Sequence, residues 1–318
     1  MSGTAKMLVT IGGARFGTVG GGCLEAEITE RALDVAERRE PVLTRHSLNA
    51  ELAGDYGLTC GGTVDLLVEP VFPDETLAAV YEGAVAMVAR GARGVLVTGR
   101  TWNTTPAKGL VSRSGIIGNV PDSLLAAVRG VPAERESPTL TRYGLLEVMA
   151  GAPVLTVFGA GHVGRAIART ATAAGWRVTV VDDRPEYADP ARLTGVERVV
   201  CCDFSDIGAA LSFGAASYCV VATRGHQHDA LIVEQLLGRP LRYLGMLGSR
   251  RKAELTRKLL GRAGATGTQL KSLRSPVGLP IGADTPEEIA VSVVAEMIAE
   301  RRSDSRRRGG VRMLAAAR

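Results

Sequence analysis

Three places in this sequence gather residues that can do chemistry. The first is Gly159-Ala160-Gly161-His162-Val163-Gly164, a glycine turn with the spacing that receives phosphate. In such a turn the first glycine permits the tight bend, the second lets the backbone approach an anion, and the third lets a helix pack on a strand. The turn follows the apolar run Val154 to Phe158 and opens a helix predicted through Ala173. Asp182 closes the next strand, completing the dinucleotide fingerprint about 20 residues on. A helix starting here offers unpaired N–H groups and the positive end of its dipole to an anion. His162 serves either as a ligand contact or as a cap. A turn of this shape that binds nothing is the plain alternative.

The second place is the set of polar clusters that close later strands: Asp182-Asp183-Arg184, Ala222 through Asp229, and Gly245 through Lys252. Ligands of open α/β sheets bind outside the carboxyl ends of the strands, so these clusters are expected on one edge. His226 and Asp229, three apart on a helix, read as a hydrogen-bonded pair. A metal site from His226, His228 and Asp229 lacks a distant partner ligand. Ser249 precedes Arg250 and Arg251 at a helix start, where cations oppose the dipole. Either an anion sits between them or the helix start is simply solvated.

The third place lies in the first half. Cys23 follows Gly20-Gly21-Gly22 and precedes a helix, and Cys60 precedes Gly61 and a strand. Glycine leaves the backbone open to a ligand, and a helix N-terminus favours a thiolate. Neither cysteine has a CxxC partner, which argues against structural zinc. His46 is the only histidine of this half, so a Cys–His nucleophile lacks its base. Two small buried thiols in tight turns is the alternative. Cys201, Cys202 and Cys219 lie in predicted strands and read as packing.

The elements that must position these groups follow from periodicity. In the first half, strands are predicted at Met7 to Thr10, Arg15 to Val19, Gly62 to Val68 and Gly94 to Gly99. Helices are predicted from Leu24 to about Arg38 and from Thr76 to Ala89, and a hairpin from Gly109 to Ile117. In the second half, strands at Val154 to Phe158, Arg177 to Asp182, Val199 to Cys202, Ser217 to Thr223 and Leu241 to Leu247 alternate with helices beginning near His226, Ser249 and Pro286. Alternation of buried strands with helices predicts a doubly wound parallel sheet with right-handed crossovers. Thr285, Pro286 and Glu288 form a capping box, ahead of a buried stripe of Ile289, Val293, Met297 and Ile298. The fold class is therefore α/β: a Rossmann-type domain over 150–302 after a smaller α/β or α+β domain over 1–145. The polar, proline-bearing stretch from Val131 to Pro138 is the linker candidate.

Composition narrows the function. Of 318 residues, 38 are Lys or Arg and 33 Asp or Glu, a formal +5. Seven arginines from Arg301 to Arg318 account for the excess. The stretch 303–318 reads as a basic, disordered tail rather than a nucleic-acid site. The opening MSGTAKMLVT is not a signal peptide, and no window of about 18 apolar residues spans a membrane. Five cysteines, an odd number, argue for a reducing compartment, hence the cytoplasm.

Taken in order, GTVGGGCLE, GLTCGG, VFGAGHVGRAIA, VVDDRPE, ATRGHQHD, YLGMLGSRRK and PVGLPIGADTPEEIAVSVVAEM resemble the xanthine dehydrogenase accessory family (XdhC/CoxI). The resemblance runs to about Arg302. It implies a chaperone that binds the molybdenum cofactor (molybdopterin), assists exchange of its terminal oxygen for sulfur, and delivers it to a molybdenum hydroxylase of the xanthine dehydrogenase type. A cysteine desulfurase and a second copy of the chain, as a homodimer, are the further partners it implies. Cys23 and Cys60 would then be the thiolates that meet molybdenum. Gly159, Gly161, His162 and Gly164 would hold the cofactor phosphate or a nucleotide, with Arg184, Arg250 and Arg251 adding anion contacts. Related chains carry a further helix and strand before the segment matching Gly3-Thr4-Ala5-Lys6-Met7, a departure that bears on the packing of that edge. An NAD(P)-binding oxidoreductase is the alternative, with Asp182 accepting the ribose hydroxyls, although the first half supplies no acid–base pair for a nicotinamide.

Overall fold

The computed structural model describes residues 5–20, 22–48, 62–103, 105–131 and 138–306. The chain divides into two units, Met1–Gly151 and Ala152–Arg318.

In the first unit every strand pairing among the described residues is antiparallel. β1 (Met7–Val9) and β2 (Arg15–Gly17) form a hairpin. α1 (Gly22–Arg38) buries Leu24, Ile28 and Val35, the helical spacing seen in the sequence. β3 (Val42–Leu48) pairs with β4 (Gly62–Val68), setting Arg45 opposite Asp65 with their side chains 2.7 Å apart. β3 was not among the predicted strands. α2 (Glu75–Ala89) starts where the Asp74 carboxylate accepts the Leu77 N–H at 2.9 Å. A five-stranded sheet follows from β5 (Arg93–Gly99), β6 (Lys108–Ser112), β7 (Gly115–Gly118), β8 (Thr139–Leu140) and β9 (Gly144–Ala150), in the order β7-β6-β5-β9-β8. α2 packs on Leu96 and Leu110 of one face. The short helix α3 (Asp122–Arg129) packs through Leu124 on Val97 and Leu146 of the other. This is an α+β arrangement.

The second unit carries the parallel sheet. Its elements are β10 (Val154–Phe158), α4 (His162–Ala173), β11 (Arg177–Asp182), β12 (Arg198–Cys201), β13 (Ser217–Val221), α5 (His226–Leu237), β14 (Tyr243–Met246), α6 (Arg250–Arg262), α7 (Gly267–Ser272), β15 (Leu273–Arg274) and α8 (Pro286–Arg306). Six parallel strands lie in the order β12-β11-β10-β13-β14-β15, so the winding reverses between β10 and β13. Alternate residues serve opposite faces. Leu155, Val157, Val178, Val180, Tyr218 and Val220 meet α4 and α8. Phe158, Val181, Cys219 and Val221 meet Ile232, Val233 and Leu236 of α5. Each such side chain contributes roughly 1.5–3 kcal/mol on burial.

Cys219 is fully buried, and burial pushes its thiol pKa up. Cys202 is half-buried against the same core, but Cys201 is exposed, against the packing role expected of it. The reason is position: β12 is the edge strand, so its side chains have a neighbouring strand on one side only. The start of α8 is capped as predicted. Thr285 Oγ1 accepts the Glu288 N–H at 3.3 Å, and Glu288 Oε2 accepts the Thr285 N–H at 3.1 Å. The helix continues to Arg306, four residues into the stretch expected as tail, because arginines in a last turn suit the negative end of the dipole. Residues 307–318 lie outside the described residues. Among the described residues no helix is long and apolar enough to cross a membrane.

Candidate functional site

The glycine corner is built as the spacing demands. Gly159 adopts φ +104°, and a Cβ there would lie 2.3 Å from the Ala222 carbonyl oxygen, so only glycine lets the end of β10 pass β13. At Gly164 a Cβ would lie 1.8 Å from the Gly159 carbonyl oxygen, so glycine is what seats α4 on the strand. Gly161 meets nothing within 4 Å, which leaves the backbone there open to a ligand. No side chain caps α4 and no acid occupies its first turn. Of the two roles open to His162, capping is therefore not made; His162 is exposed and lines a cleft of about 320 Å³ at this corner. The cleft sits at the topological switch point, where the two sheet halves diverge.

Asp182 does something other than await a ribose. It is 1% exposed, and its four acceptor positions are filled. Oδ2 accepts the Ala160 N–H at 2.7 Å and Arg184 Nη2 at 3.0 Å. Oδ1 accepts the Arg184 backbone N–H at 3.1 Å and Nε at 2.8 Å. Burial alone would raise the pKa of Asp182, but the bonds from Arg184 and from the Ala160 and Arg184 N–H groups outweigh it, and the carboxyl is held below its ordinary range. The expectation that Asp182 accepts ribose hydroxyls is thereby corrected: the carboxylate staples the glycine corner to the turn after β11. Arg184 is fixed a second time by stacking, its guanidinium 3.5 Å from the centroid of the Tyr187 ring. Arg184 and Tyr187 both line the cleft.

The later clusters divide. Asp229 is fully buried. Its Oδ1 accepts the Thr223 N–H at 3.1 Å and the Thr223 hydroxyl at 2.5 Å, and its Oδ2 pairs with Lys252. It thus ties the turn after β13 to α6. The ring of His228 lies 5.6 Å from that of Phe204 in an edge-on contact. The His226 side chain is outside the described residues. Ser249 caps α6, its hydroxyl accepting the Lys252 N–H at 3.3 Å. Arg250 and Arg251 are exposed and do not line the cleft. Strand spacing explains this: β14 lies two strands from β10, roughly 10 Å away, and only Leu247 reaches in.

Tyr187 has no place in the sequence reading, and Arg224 stands there only within a strand-end cluster. Arg224 closes β13 and donates to Asp183 Oδ2 at 3.2 Å. Tyr187 forms the platform under Arg184. Arg224 sits inside the motif ATRGHQHD, so its place after the fourth strand was a usable signal; nothing in the sequence marks Tyr187. In the first unit, Gly20 precedes α1 with φ +136°, Gly22 opens the helix and Cys23 is its second residue. The Cys23 side chain, Gly21, Cys60 and Gly61 fall outside the described residues. Among the described residues no three His, Cys, Asp or Glu gather as a metal cluster.

The comparisons with known proteins cover both units. The XdhC Rossmann domain family matches residues 155–297, and the XdhC and CoxI family matches residues 3–47. A probable xanthine dehydrogenase subunit of Bacillus subtilis (strain 168) is 29% identical over 303 residues, 94% of this chain and 88% of that protein. The uncharacterized protein YqeB of Escherichia coli (strain K12) is 25% identical over 296 residues, which is 93% of this chain and 40% of that protein. Among solved structures, a xanthine dehydrogenase from Bacillus halodurans superposes with a TM-score of 0.73 at 25% identity, covering 96% of this chain and 88% of that one.

Proposed function

We infer that this chain, which belongs to the XdhC and CoxI family, is an accessory protein of a xanthine dehydrogenase-type molybdenum hydroxylase, and that it holds the molybdenum cofactor for sulfuration and delivery. The observation that carries the reading is the glycine corner: an uncapped helix start, an open backbone at Gly161 and fixed guanidinium groups around one cleft. The similarity to the Bacillus subtilis protein points to the same class of client.

These residues fit the phosphate end of a pterin cofactor. The N–H groups at the start of α4 receive the phosphoryl oxygens. Asp182 and Tyr187 hold Arg184 in one pose, so that its remaining N–H groups orient the ligand without reordering. Val163, Ala222 and Leu247 supply an apolar wall that keeps water off one side. In the first unit, Cys23 and Cys60 are the thiols we propose to meet molybdenum. Cys23 is the second residue of α1. When bound, the cofactor supplies a molybdenum centre whose terminal oxygen is exchanged for sulfur. In this reading a cysteine desulfurase provides the sulfur, the large polypeptide of the hydroxylase receives the finished cofactor, the chain works as a homodimer, and the setting is the cytoplasm.

An NAD(P)-binding oxidoreductase would use the same corner, but the filled acceptor positions of Asp182 remove its ribose anchor. Titrating intrinsic tryptophan fluorescence with NAD and NADH separates the two readings. For the accessory role itself, the test is deletion of the gene in a cell that expresses a molybdenum hydroxylase. The hydroxylase should then carry less sulfurated cofactor and lose activity in proportion, with rescue by the wild-type gene and not by Gly161→Val. A hydroxylase that matures fully in the deletion strain overturns the proposal.

A further inference from the structure

The first unit contains a second opening, of about 440 Å³, at the ends of β5 and β9 beside the start of α3. Volumes of this size suit small-molecule ligands. Two arginines line it, Arg100 and Arg142, and none of its lining residues is acidic. Neither arginine pairs with a carboxylate of any described residue. Arg45, Arg177 and Arg184, by contrast, each meet a carboxylate, of Asp65, Glu197 and Asp182 respectively. Two cations lining one cavity, neither paired with a carboxylate among the described residues, favour an anion between them.

The backbone brings together the two loops that carry them. Gly99 and Gly144 stand opposite each other at the last register position of β5 and β9. A Cβ at Gly144 would lie 2.1 Å from the Thr98 carbonyl oxygen, and one at Gly99 would lie 2.6 Å from the Ala107 Cβ. Glycine at both positions lets the two loops close. The Arg100 N–H then donates to the Tyr143 carbonyl at 3.0 Å. Arg142 lies with its guanidinium 4.5 Å from the Tyr143 ring centroid and also bonds the Tyr143 hydroxyl. The turn that carries Arg142 is held by the Thr141 hydroxyl, which accepts the N–H groups of Tyr143 at 3.2 Å and Gly144 at 3.1 Å. Thr101 and Ser123 add hydroxyl donors, and Leu124 and Ala107 give an apolar floor.

We propose that this cavity binds a small phosphomonoester, its phosphoryl group between Arg100 and Arg142 and its organic part against Tyr143 and Leu124. A phosphomonoester carries a charge of about −1.5 to −2 at neutral pH, which matches two cations, and the guanidinium fork suits phosphoryl oxygens. The site belongs to the first unit and does not rest on the cofactor reading of the glycine corner.

The test is calorimetric titration of the full chain with phenyl phosphate. It uses a Gly161→Val background, which blocks the glycine corner and leaves this cavity untouched. One equivalent should bind, and Arg100→Ala or Arg142→Ala should each weaken binding roughly tenfold or more. Both arginines are exposed, so neither variant threatens the fold. Binding should weaken with added salt, and neutral anisole should not compete. Three outcomes each overturn the proposal: no binding heat in the Gly161→Val protein, unchanged affinity in both arginine variants, or equal binding of anisole.

Discussion

Gly161 and Gly164 lie three residues apart in one corner, yet the same substitution should affect them in different ways. A Cβ at Gly164 would lie 1.8 Å from the Gly159 carbonyl oxygen. Ordinary contact needs roughly 3.5 Å, so Gly164→Ala must drive α4 away from β10. Ala166, Ile167, Ala168 and Ala171 of that helix are buried in the core and move with it. Overpacking of this severity costs about 3 kcal/mol. For a unit of this size that lowers the thermal midpoint by roughly 6–12 °C. Gly161→Ala meets no atom within 4 Å and has φ −68°, which any residue adopts. Its stability should stay within about 0.5 kcal/mol of wild type, while the new methyl group stands where a ligand must approach. Scanning calorimetry measures the first effect, and binding at the corner measures the second. A Gly164→Ala protein that melts with the wild type, or a Gly161→Ala protein that melts with Gly164→Ala, would refute the division of roles between the glycines.

Asp182→Ala strands the buried Ala160 N–H and releases Arg184, which can reach water, so the loss should be about 2 kcal/mol in a urea titration. Because the folded carboxyl titrates below its ordinary range, its contribution is complete above the unfolded pKa, about 4, and fades as pH falls through the lower folded value. Asp182→Asn should therefore flatten the acid limb of the stability profile, and an unchanged limb would contradict this. Lys108 is fully buried against both oxygens of Glu69 at 2.6 Å and the Thr98 hydroxyl at 2.7 Å. Lys108→Ala leaves Glu69 without its cation and should destabilise the first unit by about 3 kcal/mol, read from the denaturant midpoint of that unit. Thr285→Ala removes the α8 cap and should cost about 1 kcal/mol, with faster amide exchange confined to the first turn of the helix.

Much of the second unit could be read in advance because its signals are local. VLTVF and RVTVVD are short, valine-rich segments ended by glycine or acid, and both strands occur at those bounds, Val154–Phe158 and Arg177–Asp182. Thr285-Pro286-Glu287-Glu288 carries its own start signal. β3 escaped because VLTRHSL places polar residues where a buried strand would be apolar; its partner β4, not its composition, makes it a strand. α3 escaped because eight residues give little periodicity. The glycine corner was legible as a motif, but the fate of Asp182 was not. Whether its carboxylate faces a ligand or turns back on Ala160 depends on where Arg184, two residues later, places its guanidinium. The sequence order also did not show that Ser249, Arg250 and Arg251 stand off the cleft, because β14, which they follow, lies two strands from β10 across the sheet.

The most direct measurement is co-purification. The chain should be isolated without oxygen from cells making molybdenum cofactor, and its molybdenum and pterin content compared with that of the Gly161→Val and Cys23→Ala, Cys60→Ala proteins. The account predicts about one cofactor per chain in the wild type and losses of tenfold or more in the variants. Wild-type protein free of cofactor, or variants that retain it in full, would contradict it.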